Sequence, residues 1–176
     1  MELIQTLPGI ARDGLLEHGH LIPGGQIAHW RYATSDNEHR EMLHDLTGDY
    51  IKAYESTDTI DERKRHLGEI LEAVHSIAII DEYNEGQLLY RSKVRAAESG
   101  RQDDPIITLE ALRHELQKTP SASERLEILA DMRNGIFKLA EQEGVSTHDL
   151  TELQNRQRRK NGSFLKGVIV IETVSK

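Results

Sequence analysis

Four carboxylates stand at spacings that could do chemistry together. Asp45 and Asp49 are four positions apart, and Glu69 and Glu72 are three apart, so each pair shares one face if its segment is helical. Acids converging from two antiparallel helices would repel one another unless cations lay between them. Hard oxygen ligands in such a place suit Mg²⁺ or Mn²⁺. The alternative is a solvated acidic face. Asp49 falls within the helical stripe of Met42, Leu46 and Ala53, whereas Glu69 and Glu72 point away from the stripe of Leu67, Leu71 and Val74. They would be buried only if Ala73, Ile79 and Ile80 made a second apolar face.

A second group is basic. Arg156, Arg159, Lys160 and Lys166 flank Asn161, Gly162 and Gly167, so a pliable backbone with cations nearby could meet phosphate oxygens. A basic helix end that complements the helix dipole explains the same residues. The nine histidines form no HExxH, and the absence of cysteine removes thiolate sites and disulfides. His44 beside Asp45, and His75 one turn after Glu72, could lie near the acids.

The elements that must position these groups read as helices. Ser35 or Asp36 caps a helix to about Glu55, and Thr59 with Glu62 forms a capping box before a stripe from Leu67 to Ala78. A third helix covers about Asp81 to Ser99 and stops at Gly100. Pro105 leads a short helix with Leu109, Leu112 and Leu116. Ser121 with Glu124 opens a long one carrying Leu126, Leu129, Met132, Ile136 and Ala140, with Gly144 as its stop. Ser146 with Asp149 starts the last. Residues 1–35, punctuated by Pro8, Pro23 and five glycines, predict one short helix and a long loop, and the β-branched run from Gly167 predicts one short C-terminal strand. The fold class is all-α, a helical bundle.

The 176 residues, 37% hydrophobic and 30% charged, suffice for a packed core. A net charge of −8 argues against binding nucleic acid polymers or anionic membranes, and no apolar run approaches the roughly 20 residues of a membrane span. The N-terminal segment lacks a signal-peptide pattern, so the cytoplasm is the expected location.

The ordered acidic motifs, DLTGD (Asp45 to Asp49) and EILE (Glu69 to Glu72), resemble a drifted form of the E-E-x-x-E and E-x-x-D pair of the MazG-like and phosphoribosyl-ATP pyrophosphohydrolase-like superfamily. Leu46 replaces one acid. Independently, EGVSTHDLTELQNRQRRKNGSFLKGVIVIE (143–172) is similar to an ending of one branch, LGVSLEELEEIRKEKREERGGFEKGIVLE. Ile128 to Gln142 resembles ELADVLEVIYALAE, Leu88 to Val94 resembles KLVRDKI, and Leu7 to Ala11 resembles IPEII. These likenesses imply one domain over 1–176 of the superfamily's all-α type, built of two fused repeats. The first, 1–87, retains the acids. The second, 88–176, keeps the basic glycine tail but has Ile128 before Asp131, and EALRH (Glu110 to His114) in place of E-E-x-x-E. Helices drifting into similarity are the alternative to a true repeat.

The resemblance further implies a Mg²⁺- or Mn²⁺-dependent hydrolase that splits a nucleoside triphosphate into monophosphate and pyrophosphate. Asp45, Asp49, Glu69 and Glu72 would hold the metal, with Asp49, Glu69 and Glu72 catalytic, and Arg159, Lys160 and Lys166 would bind phosphates. A homodimer is expected. Leu46 and the depleted second repeat favour instead a non-catalytic binding or assembly protein on the same fold. Phosphoribosyl-ATP hydrolysis is a third reading.

Overall fold

In the computed structural model, residues 2–3, 19–22, 26–32, 35–98, 104–161 and 168–175 are described, with side chains over 35–98 and 104–158. Six helices make the body: α1 (Asp36–Ser56), α2 (Ile60–Ile80), α3 (Glu85–Glu98), α4 (Pro105–Lys118), α5 (Ala122–Gln142) and α6 (Thr147–Asn161). The helical bundle is as the periodicities predict. Among the described residues, no helix is long and apolar enough to cross a membrane.

The caps work unevenly. Ser35 Oγ accepts from Glu38 N at 3.1 Å, and Ser146 Oγ accepts from Asp149 N at 3.1 Å. Thr59 and Ser121 occupy the expected N-cap positions, but their side chains make no capping bond. Both helices still begin there, because burial of the stripe decides helix formation more than any single cap does.

Residues 19–32 depart from the predicted loop. Strands β1 (Glu2–Leu3), β2 (Gly19–Ile22), β3 (Gln26–Tyr32) and β4 (Val168–Ser175) form an antiparallel sheet in the order β1-β4-β3-β2. Thus the predicted C-terminal strand is present, but it is not alone. Pro23, Gly24 and Gly25, read as punctuation of a loop, separate two strands instead, and Ile27, Trp30 and Tyr32 supply β-formers between them. The short helix expected before this point lies outside the described residues.

The helices pack reciprocally. α1 lies on α2, and α4 on α5; α6 then covers α2, while α3 covers α5. The turns after α2 and α5 repeat the same bonds. Tyr83 N donates to Ala78 O and Val145 N to Ala140 O, with Glu82 (φ 71°) and Gly144 (φ 74°) at the left-handed position. Asn84 and Ser146 next cap α3 and α6 through Gln87 N and Asp149 N. Each three-helix unit therefore lends its last helix to the other. The position 87/88 falls within α3, which packs on α5 as α6 packs on α2.

Leu43, Ile51, Leu67, Ile70, Leu71, Ile77, Leu88, Leu109, Leu116 and Leu129 are fully buried at the centre. α2 is the axis, buried without interruption from His66 to Ala78 because α1, α5 and α6 close on it from different sides. Gly68 permits a close backbone approach of α6: a Cβ there would stand 3.0 Å from the Leu153 carbonyl carbon.

Candidate functional site between α2 and α6

The face of α1 that packs inward carries Leu43, Leu46, Thr47, Tyr50 and Tyr54, which turns Asp45 and Asp49 out to solvent. Glu69 and Glu72 do the opposite. Both are buried, since α6 packs closely on α2 at Gly68; of the second apolar face that the sequence offered, Ala73 is buried and Ile80 packs against the core, while Ile79 is exposed. The predicted orientations are thus reversed for Asp49, Glu69 and Glu72, and the four acids do not converge. Among the described residues no group of three or more His, Asp or Glu side chains is placed to hold a metal ion.

Glu72 is the most enclosed of the four, at 1% exposure. Its Oε1 accepts from Arg158 Nε at 3.2 Å, and its Oε2 accepts from Arg158 Nη2 at 3.0 Å and Gln154 Nε2 at 3.0 Å. Burial pushes the carboxyl above the usual carboxylate range, while Arg158 and Gln154 pull against it. Arg158 Nη2 also donates to Glu85 Oε1 at 3.1 Å. Glu85 lies 3.5 Å from His75 Nδ1, and Arg133 Nε donates to His75 Nε2 at 3.3 Å. Burial, with the charge of Arg133, depresses His75 to about 4, so it is neutral at pH 7.

A metal at Glu72 would have to displace a fork of charged hydrogen bonds, and Asp45 and Asp49 are exposed to solvent on α1. The residues present therefore do not fit the predicted Mg²⁺ or Mn²⁺ site. Glu69 is held differently, 3.4 Å from Arg65 Nε and 3.3 Å from His66 Nδ1. It borders an open cleft of about 820 Å³ between α2 and α6, shared with Lys64, Arg65, Glu152, Arg156 and Gln157. Of the predicted phosphate-binding residues, Arg159 and Lys160 belong to α6 but their side chains lie outside the described residues, as does Lys166 altogether.

Sequence reasoning missed Arg158 and Gln154. A signal existed: Gln154 and Gln157 fall on the face of α6 that includes buried Leu150, and an amide on an apolar face needs a buried partner.

The second unit carries a parallel arrangement. Arg95 of α3 meets Asp131 of α5 through Nε at 3.0 Å and Nη2 at 2.6 Å, and Arg91 pairs with Glu127. In both units the last acid of the E-x-x-D-like segment is held by an arginine from the lent helix. Elsewhere, buried Asp81 ties three elements, accepting from Arg40 Nε at 2.6 Å and Arg125 Nε at 2.7 Å.

No protein-family model, curated protein or solved structure matches this chain.

Proposed function

We propose that the chain is a non-catalytic helical protein on a MazG-like plan, which acts by binding rather than by splitting nucleotides. The observation that carries this reading is the Glu72–Arg158 pair. A buried carboxylate needs a positive partner, and Arg158 supplies from within the chain the charge that a divalent ion would otherwise bring. Arg158 comes from the same 143–172 segment whose likeness suggested phosphate binding. With Leu46 between the two aspartates and both of them in solvent, α1 adds no further ligand. Cytoplasmic residence and self-association as a dimer belong to the same proposal, the latter checked by light scattering.

One observation favours a nucleotide pyrophosphohydrolase as the second reading: Glu69 shares its cleft with Lys64 and Arg156, which could meet phosphates. The readings separate in one assay. The protein is incubated with nucleoside triphosphates and phosphoribosyl-ATP, with Mg²⁺ or Mn²⁺, and pyrophosphate is measured beside Glu69→Gln and Glu72→Gln. The binding reading expects no release above a protein-free control. Turnover abolished by either substitution would establish the hydrolase instead.

A further inference from the structure

We infer that the α2–α6 cleft is a binding site for a small amphoteric ligand, one carrying an anionic group and an ammonium group on the same skeleton. The proposal names a ligand class for the binding reading and rests on it for the ligand's role. The cleft itself stands on separate observations.

The first is an orphaned donor. Gln157 lines the cleft at 7% exposure, and among the described residues its buried Nε2 has no hydrogen-bond partner. Buried amides are satisfied in the great majority of cases, so an unpaired one bordering a cavity marks a place where an acceptor belongs. The second is the charge pattern. Lys64 and Arg156 stand on the cleft with Asp61, Asp149 and Glu152, yet none of these five forms an ion pair among the described residues. Opposite charges that border one space without closing on each other leave that space for something that bridges them.

The same pattern sets the ligand class. A polyanion would gain Lys64 and Arg156 but meet three uncommitted carboxylates, and a polycation would meet the reverse penalty. A ligand with both charges satisfies each side, and its anionic oxygen would draw out the Gln157 amide, which is otherwise closed off. At about 820 Å³ the cleft is within the range of small-molecule sites.

Phosphoethanolamine, inorganic phosphate and ethanolamine test this as matched probes, the first joining the charges that the others carry singly. ¹⁵N-labelled full-length protein is titrated at constant ionic strength, following the Gln157 side-chain amide, assigned by its loss in Gln157→Leu. The expected result is a saturable shift with phosphoethanolamine, at least about tenfold tighter than with either fragment because the second contact becomes intramolecular. Lys64→Ala, a change on a half-exposed side chain, should weaken it severalfold without altering the rest of the spectrum. Equal affinity for phosphate alone or for ethanolamine alone would overturn the amphoteric assignment, and no shift with any probe would overturn the site. Neither failure produces pyrophosphate, so neither is confused with failure of the binding reading.

Discussion

Glu72 on α2 and Arg158 on α6 lie 86 positions apart in the chain and 3.0 Å apart in the fold. Arg95 and Asp131 repeat the relationship between α3 and α5, in the reverse order along the chain. Two arginines thus lock the two lent helices onto the units that receive them.

Breaking the first lock should cost more than a surface ion pair. Arg158→Ala leaves Glu72 buried with only the Gln154 amide and no counter-charge, and should destabilise the fold by about 1–3 kcal/mol, the partly open guanidinium keeping the figure below that of a fully buried pair. Adding Glu72→Leu should recover most of the loss. Urea unfolding of both single variants and the double variant measures the coupling.

Asp81 should matter more. Its carboxylate is enclosed and receives both Arg40 and Arg125, and Arg125 is itself buried. Asp81→Ala strands that guanidinium and should cost about 3–5 kcal/mol. Thermal unfolding monitored by helical circular dichroism reads it directly.

The two matched turns place different residues at the left-handed position. Glu82 adopts φ 71° where Gly144 adopts φ 74°, and a side chain at such an angle costs about 1 kcal/mol that glycine avoids. Glu82→Gly should stabilise by up to about 1 kcal/mol, and Gly144→Ala should destabilise by a similar amount. Chemical denaturation midpoints of the pair, compared with wild type, check both signs.

Acid should weaken the fold through its buried imidazoles. Burial, then nearby arginines, depresses His44 and His75 from 6.5 to about 4. The unfolded chain takes up those protons first, so the stability they contribute is complete above pH 6.5 and is lost as pH falls toward 4. Each histidine can cost on the order of 1.4 kcal/mol per pH unit within that window. Glu72, raised by burial, acts in the opposite sense: its contribution is present below its unfolded value of 4.5 and lost as pH rises through its folded value. Urea midpoints at pH 7 and pH 5 should fall for the wild type and fall less for His75→Gln.

Helix positions were legible because stripes such as Leu129, Met132 and Ile136 repeat with the helical period and are buried as that period requires. The strands at 19–32 were not, since β3 finds its partner in β4 at the other end of the chain. Nor could the faces of Asp49 and Glu72 be read locally. Asp49 shares a stripe with Met42 and Leu46, but Tyr50 and Tyr54 rotate the packed face away from it. Glu72 looks exposed on α2 until α6 covers it.

In the proposed reading, Arg158 supplies at Glu72 the positive charge that a metal would bring. A Mn²⁺ titration followed by electron paramagnetic resonance tests it directly, on wild type, Glu72→Gln and Arg158→Ala. Wild type should bind Mn²⁺ only weakly, without a stoichiometric site, and Glu72→Gln should leave the titration unchanged. A one-to-one site with submicromolar to micromolar affinity, lost in Glu72→Gln, would contradict it.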